Sequence, residues 1–357
     1  MRGLVWTGSL EVRDDVEVRG PQPHEVVVRV ANAGLCHSDV SVLDGTIPFP
    51  TPVVLGHEGA GVVEEVGDAV RKVKVGDHVV LTTLGSCGMC AACDRGQPTH
   101  CRDTMGRLNR PFTVGGEKAF QFANAGVFTE RTVVAESQAI VIPEEVPLSV
   151  ACLIGCAVVT GAGAVLNRAK VQPGQTVAVI GAGGIGQSVI QAARIAAASR
   201  IVVVDANPAK EAAALAFGAT DFIDASALGD GELVEAVHSL GLPNGVDHAF
   251  ECVGHPALVR NAIDLLDWGG QCILLGVPKM GTEASFVVST MYNDKSILGC
   301  RYGTTRPHHD IPMYVGFYLD GRLQLDEMVS QVYDLADIQQ ALDDMHAGKL
   351  NRGVLSI

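Results

Sequence analysis

The sequence predicts an α/β protein in which a β-rich domain is joined to a doubly wound parallel-sheet domain. Its 357 residues exceed the length at which one hydrophobic core keeps growing, so two domains are expected. From Val26 to about Val141, short β-branched runs are separated by Gly and Pro, which is typical of a β-rich domain. From about Gln175, strands alternate with longer helices, a pattern that favours a parallel sheet with right-handed crossovers.

The second half of the chain supplies six candidate strands, a number that suits a Rossmann sheet. They are Thr176 to Ile180, Ile201 to Asp205, Asp221 to Ile223, Val246 to Glu251, Gln271 to Leu275 and Ser296 to Leu298. The helix after the second strand is delimited by Asn207 as N-cap, Pro208 at its first position and Gly218 as its stop.

The alternation stops after about Tyr302. Two helical stretches near 312–319 and 335–345 follow, and then a closing strand at 354–357. We assign this tail back to the first domain.

Composition excludes several classes of protein. The formal net charge of −14 argues against a nucleic-acid partner, because binding to phosphate backbones depends on clustered Lys and Arg. The apolar stretch 146–168 is interrupted by glycines and is interpreted as a buried helix, so no membrane association is expected. We expect a cytoplasmic protein whose ten cysteines stay reduced and serve as metal ligands or core residues.

A glycine-rich turn, Gly181-Ala-Gly183-Gly184-Ile185-Gly186, directly follows the first candidate strand and precedes a helix. The glycines allow a tight turn and the close approach of a pyrophosphate to the helix N-terminus. Asp205 ends the next strand, 19 residues after Gly186, where a carboxylate can accept both hydroxyls of an adenosine ribose. This carboxylate would repel a ribose phosphate, so NAD is favoured over NADP.

Four cysteines, Cys87, Cys90, Cys93 and Cys101, have the spacing C-x2-C-x2-C-x7-C. Zinc prefers thiolate ligands in a tetrahedron, so the four can close a structural site by themselves. Free surface cysteines, or His100 in place of one thiolate, are the alternatives.

A second set, Cys36, His57 and Cys156, supplies two sulfurs and one imidazole for a zinc ion with its fourth position open. Spacing alone indicates this set less strongly, because a lone His or Cys is more often buried packing than a ligand.

Together these motifs resemble the zinc-dependent medium-chain alcohol dehydrogenases, in the class III-like or bacterial branch. The resemblance lies in Gly34-Leu-Cys36-His-Ser-Asp39, Gly56-His57-Glu58, Gly155-Cys156, the cysteine quartet and the glycine turn. It implies a GroES-like catalytic domain at 1–157 and 302–357, with a structural zinc lobe at about 85–110. It also implies a Rossmann NAD-binding domain at 158–301.

The resemblance implies roles for single residues in the reaction. Cys36, His57 and Cys156 would hold the catalytic zinc, and Glu58 would exchange with them as a metal ligand. Ser38 would relay the proton of an alcohol, while Asp39 would orient a ligand from behind.

It also implies a set of cofactor contacts around the glycine turn. These are His37, Thr160, Gly181, Gly183, Gly184, Ile185, Gly186, Asp205, Lys210, Val253, Val277 and Arg352. We therefore expect two zinc ions per subunit, NAD, a small alcohol or aldehyde substrate and a homodimer or homotetramer.

Two positions depart from simple expectations. Many relatives have a histidine three residues after the relay hydroxyl, whereas this chain has Ser41, which cannot act as a base near pH 7. Water is the alternative for the outer relay. Arg301 could anchor an acidic or polar substrate, or it could be a solvated surface arginine.

Three other functions fit parts of the sequence. One is a formaldehyde dehydrogenase acting on a thiol adduct, and another is a dehydrogenase whose NAD never leaves. The third is a zinc-ribbon binding protein, which an acidic chain disfavours as a nucleic-acid binder.

Overall fold

The structure is a computed structural model that describes residues 1–103, 106–229 and 231–357. The strands of these ranges are, in chain order, β1 (Gly3–Trp6), β2 (Leu10–Arg13), β3 (Val16–Val18), β4 (Glu25–Gly34), β5 (Val53–Val54), β6 (Glu58–Val66), β7 (His78–Leu81), β8 (Phe112–Val114), β9 (Glu117–Gln121), β10 (Arg131–Ala135), β11 (Ala139–Val141), β12 (Thr176–Ile180), β13 (Arg200–Asp205), β14 (Asp221–Asp224), β15 (Val246–Glu251), β16 (Leu266–Leu274), β17 (Ser296–Gly299), β18 (Val329–Asp334) and β19 (Arg352–Ser356). The helices are α1 (His37–Leu43), α2 (Ala91–Asp94), α3 (Leu148–Ala169), α4 (Gly184–Ile195), α5 (Glu211–Phe217), α6 (Glu232–Ser239), α7 (Pro256–Asp264), α8 (Pro307–Leu319) and α9 (Ile338–His346).

The described residues form two compact units. The first contains Met1–Cys156, Thr305–Gly321 and Leu325–Ile357, and the second contains Ala157–Thr304 and Arg322–Gln324. The chain passes from one to the other inside α3. The expected catalytic domain at 1–157 and 302–357 and the expected NAD-binding domain at 158–301 stay predictions.

The first unit is built from two sheets around a Val-rich core. Their strand orders are β2-β1-β5-β9-β8-β3 and β11-β7-β6-β4-β19-β18, with β10 also paired to β4. The long strand β4 is central because its valines, among them Val26, Val28 and Val30, are buried in the core. The tail returns to this unit, since β19 pairs with β4 and places Leu355 opposite Ala33.

The second unit contains one sheet in the order β14-β13-β12-β15-β16-β17, and its strands are all parallel. Strands β12 and β13 read as near-continuous apolar runs because helices cover both faces of a parallel sheet. Val177 to Ile180 and Ile201 to Val204 are all buried. The predicted α/β class with a doubly wound sheet is confirmed.

Helix α3 is the apolar segment that the sequence marked as a buried helix. It is 22 residues long and apolar enough to cross a membrane, but 83% of its most apolar stretch is buried inside the protein. Such burial is typical of the core helix of a globular protein, and α3 is a helix of this kind.

Helix α8 begins at Pro307, five residues before the predicted start at Pro312. The predicted start is wrong because the first turn is fixed by a cap: the backbone N–H of Arg306 donates to the Asp310 carboxylate at 2.7 Å. Pro307 occupies the first helical position, where a missing N–H costs nothing, and Pro312 lies inside the helix.

Candidate functional site

One group of metal-binding side chains lies in the first unit. The ligand atoms of Cys36, His57, Glu58 and Cys156 all lie within 4.8 Å of one another. Cys36 is the N-cap of α1, His57 and Glu58 stand where β6 begins, and Cys156 is in α3. The fold thus assembles residues that are far apart in the chain into one donor set.

The imidazole of His57 is held from behind by Asp39. Its Nδ1 lies 3.1 Å from Oδ1 of Asp39, and the same oxygen accepts the backbone N–H of Gly56 at 3.0 Å. Gly56 has φ +87°, and a side chain there would collide with Phe128, so only glycine permits this approach. Both His57 and Asp39 are 2% exposed.

The other ring nitrogen of His57 points to a metal site. Its Nε2 is buried and has no hydrogen-bond partner among the described residues. A buried polar atom without a partner is costly, and a neutral imidazole nitrogen fixed by a carboxylate on its far side is a common zinc ligand. Two thiols and this nitrogen are the donors that zinc prefers, so the residues fit a zinc ion.

The thiols of Cys36 and Cys156 share a hydrogen bond that separates their pKa values. The pKa of Cys36 is held well below its usual range, first because the Cys156 thiol donates a hydrogen bond to it and also because His57 lies nearby. The pKa of Cys156 is raised correspondingly, first by this same hydrogen bond and then by burial. Cys36 is therefore the thiol that ionises first.

Glu58 and Arg352 form a buried ion pair beside the donor set, through Nη2 of Arg352 and Oε2 of Glu58. Burial raises the pKa of Glu58 to about 7, against the opposing charge of Arg352. The other carboxylate oxygen, Oε1, is buried and unpartnered within the described chain. Glu58 thus keeps one oxygen that no protein group of the described chain engages, so it is available to a cation.

The four clustered cysteines form a second close set, also with their sulfurs within 4.8 Å of one another. Sγ of Cys93 lies 3.6 Å from that of Cys90 and 4.0 Å from that of Cys87. Sγ of Cys101 accepts the backbone N–H of Cys87 at 3.5 Å. Burial raises the pKa of Cys101, but backbone N–H donors outweigh it and lower that pKa to about 6.

This close set in the described ranges consists of four thiols without an imidazole, which favours the four cysteines over His100 as metal ligands. The residues fit a closed structural zinc site. Thr104 and Met105 of the predicted lobe lie outside the described residues.

The glycine turn lies in the second unit, between β12 and α4. A side chain at Gly186 would collide with the carbonyl oxygen of Gly181, so the helix can pack on the strand only with glycine there. Gly183 is the N-cap of α4, and Gly184, Ile185 and Gly186 form its first turn. The turn therefore offers the helix N-terminus that a pyrophosphate needs.

Asp205 lies at the end of β13, against this turn. Its Oδ2 accepts the backbone N–H of Ala182 at 2.7 Å, and its Oδ1 accepts that of Asn207 at 2.9 Å. The ammonium of Lys210 lies 3.0 Å from Oδ2. The structure thus brings the predicted ribose-binding pair, Asp205 and Lys210, into contact.

The remaining predicted residues are placed as follows. Val253 and Val277 follow β15 and β16 in the second unit and are 50% and 59% exposed. Thr160 is buried in the part of α3 that belongs to that unit. In the first unit His37 is exposed at the start of α1, and Oγ of Ser38 lies 3.9 Å from Sγ of Cys36.

Sequence reasoning missed two features of the site. It assigned Arg352 to a pyrophosphate and did not foresee its pairing with Glu58, 294 residues away. It also missed the ring contact between Phe122 and His57, whose centroids are 5.5 Å apart at 85°. The signals for the second are the aromatic pair Phe120 and Phe122 after the lobe and the family resemblance, which places Phe122 where relatives line their substrate pocket.

Comparison with known proteins gives consistent results. Residues 22–144 match the family described as "Alcohol dehydrogenase GroES-like domain", and residues 184–319 match "Zinc-binding dehydrogenase". An S-(hydroxymethyl)glutathione dehydrogenase of Komagataella pastoris is 38% identical over 99% of this chain and 96% of its own. One from Synechocystis sp. is 39% identical over 96% and 95% of the two chains.

Solved structures agree with these relatives. An alcohol dehydrogenase zinc-binding domain protein from Burkholderia ambifaria has a TM-score of 0.93 at 37% identity, covering 100% of this chain and 98% of its own. Benzyl alcohol dehydrogenase from Acinetobacter calcoaceticus has a TM-score of 0.92 at 32% identity, covering 100% and 99%. The similarity thus extends over the whole of both units.

Proposed function

Because this chain belongs to the zinc-dependent medium-chain alcohol dehydrogenase family and is an NAD-dependent oxidoreductase, we propose that Cys36, His57 and Cys156 form its catalytic zinc site. There a primary or secondary alcohol and its carbonyl product are interconverted. The observation that carries the proposal is the buried Nε2 of His57, which lies among two thiols without a partner in the described chain. Cys87, Cys90, Cys93 and Cys101 are the proposed structural zinc ligands.

When bound, zinc supplies a Lewis acid that lowers the pKa of an alcohol hydroxyl, and NAD supplies the hydride acceptor. The protein's own residues prepare this chemistry. Asp39 accepts the Nδ1 proton of His57 and so leaves Nε2 as the ring nitrogen that would bind zinc. Glu58, neutralised in part by Arg352, offers a further oxygen when the ligand set changes.

Ser38 is the proposed first acceptor of the alcohol proton. Its Oγ stands 3.9 Å from Sγ of Cys36, one side chain away from the donor set. A hydroxyl can accept one proton while it donates another, so it can relay without changing charge. Ser41 does not continue this relay, and we assign the outer step to water.

Asp205 and Lys210 are the proposed determinants of NAD over NADP. The carboxylate is already directed at the glycine turn through the N–H of Ala182, where a ribose phosphate would meet its negative charge. Thr160, Val253, Val277, His37 and Arg352 remain proposed cofactor contacts.

A second candidate substrate is the hydroxymethyl adduct of formaldehyde with a thiol. It is favoured by the curated relatives, which are named S-(hydroxymethyl)glutathione dehydrogenase at 38% and 39% identity. Turnover of formaldehyde only after a thiol is added would identify this substrate. NAD retained through gel filtration would instead identify a permanently bound cofactor.

We further propose a cytoplasmic homodimer or homotetramer. In the second unit β17 is an edge strand, and large apolar side chains are exposed in the segment before it, including Met280, Val288 and Tyr292 at 82%, 74% and 93%. Exposed apolar surface of this kind is typical of an association face. Light scattering of the purified protein measures the oligomer directly.

The function is tested with a panel of alcohols monitored by NADH absorbance, with zinc measured on the same sample. We expect turnover that is lost when zinc is removed from the catalytic set. Full zinc occupancy without turnover of any alcohol, aldehyde or thiol adduct would contradict the proposal.

A further inference from the structure

We propose that Gln138 is a positioning residue of the active site. Its amide ties the strand that leads into the cysteine lobe to the turn that presents Phe122 to His57. The inference rests on the proposed function, because it concerns the surroundings of the same metal site.

The ring of Phe122 contacts His57, a proposed metal ligand. It meets the His57 imidazole edge to face at 5.5 Å and the ring of Phe49 at 5.3 Å, and it is 5% exposed. Edge-to-face pairs have a preferred geometry, so a shift of Phe122 alters the apolar wall beside the donor set. Substrates with a flat apolar group are the most sensitive to such a shift.

The backbone that carries Phe122 is strained. The next residue, Ala123, has a φ of +50°, in the left-handed region that alanine seldom adopts, and Asn124 follows it there at +57°. Such a conformation persists only where the surrounding structure fixes it, and it concentrates at functional sites. Some contact must therefore hold this turn.

Gln138 supplies this contact. Its Nε2 donates to the carbonyl oxygen of Asn124 at 2.9 Å and to that of Thr82 at 2.8 Å. The side chain is 4% exposed, so neither bond competes with bulk water. One amide thus joins the strained turn to the end of β7.

Packing alone does not hold the turn. A cavity of about 270 Å³ lies behind it, lined by polar residues that include Asn109, Gln121, Asn124 and Gln138. An open space beside a strained backbone leaves room for it to relax. Side-chain hydrogen bonds restrain it: that of Gln138 to Asn124, and that of Gln121 to the carbonyl of Ala125 at 3.0 Å. Asn109 adds a bond at the exposed side, from its Nδ2 to Oδ1 of Asn124 at 3.3 Å.

The connection reaches the cysteine lobe. Thr82 pairs with Gln138 in both directions, because its backbone N–H also donates to the Gln138 carbonyl at 2.9 Å. Ser86, the residue before Cys87, donates its N–H to Oγ of Ser137 at 3.3 Å. The segment that enters the lobe and the segment that supports Phe122 are therefore fixed to each other.

The test is Gln138→Glu, which keeps the shape of the side chain and removes both N–H donors. We expect kcat/KM for benzyl alcohol to fall about 10-fold and that for ethanol about 2-fold. The larger loss for benzyl alcohol should arise from a higher KM and not from a lower kcat. The Kd of benzamide, an unreactive aromatic carbonyl compound, should rise about 10-fold in calorimetry of the zinc-loaded protein with NADH.

Two further variants separate positioning from loss of stability. Gln191→Glu changes a buried glutamine of the second unit that bonds to the backbone of Gln324, and should lower the melting temperature without changing the ratio between the two alcohols. If Gln138→Glu fails to fold, Gln138→Met removes the donors without adding a charge and should give the same selective loss.

Equal losses for benzyl alcohol and ethanol would overturn the proposal. So would an unchanged Kd of benzamide in the Gln138→Glu variant. Absence of benzamide binding to the zinc-loaded wild type would instead contradict the proposed function. Because the benzamide measurement needs no turnover, it tests Gln138 even if the proposed function fails.

Discussion

Oδ1 of Asp39 lies 3.1 Å from Nδ1 of His57, and both side chains are buried. This contact decides which imidazole nitrogen faces the thiols of Cys36 and Cys156. Because Asp39 occupies Nδ1, Nε2 is the nitrogen assigned to zinc.

Replacing Asp39 with Asn removes the charge that supports His57. We expect zinc affinity at the catalytic set to fall about 10- to 100-fold. Competition with a chelator measures this, and the zinc held by the four clustered cysteines serves as the internal reference. Asp44→Asn, at the exposed end of the same helix, should have no effect. Unchanged retention of both ions would contradict the role of Asp39.

Replacing Ser38 with Ala tests the proton relay. We expect kcat to fall about 100-fold at constant zinc content, because no other hydroxyl is assigned to take the alcohol proton. Ser41→Ala, on the same helix, is the matched control and should leave kcat within about 2-fold, since water is assigned to the outer step. Full activity of the Ser38 variant would refute the relay.

Replacing Cys101 with Ser opens the cysteine quartet. Because a structural zinc site contributes directly to folding, we expect loss of one zinc per chain and a lower melting temperature. Limited proteolysis should then cut within 85–110. Cys300→Ser, outside both sets, should keep both zinc ions and the wild-type digestion pattern. A quartet variant that keeps its zinc would show that the four thiols are not the ligands.

Replacing Asp205 with Ser removes the charge beside the glycine turn. We expect kcat/KM for NAD to fall about 10- to 100-fold, as for the loss of a hydrogen bond to a charged group. The preference for NAD over NADP should shrink by at least as much. Asp224→Ser, at the end of the neighbouring strand β14, should leave the preference unchanged. The same preference in both variants would show that Asp205 does not select the cofactor.

Much of this site could be predicted from the sequence because its parts are either local or chemically distinctive. The glycine turn and Asp205 belong to consecutive strands of one parallel sheet, so strand order alone brings them together. The cysteine quartet closes within one short segment. The family, the α/β fold class, the enzyme class and the use of zinc and NAD are confirmed.

Contacts between distant segments could not be predicted. Arg352 reaches Glu58 because β19 pairs beside β4, and the register of that pairing leaves no local pattern in the sequence. The proposed support of Phe122 by Gln138 is also non-local, because it acts through a side-chain hydrogen bond to Asn124, 14 residues away. The start of α8 was predictable in principle, since Pro307 followed three residues later by Asp310 is an N-terminal signature.

The most direct test of the two proposed zinc sites is anomalous diffraction at the zinc edge from crystals of the purified protein. We expect two peaks per chain, one of them within bonding distance of Sγ of Cys36, Sγ of Cys156 and Nε2 of His57. A single peak at the cysteine quartet, with His57 Nε2 bonded to another protein group, would contradict it.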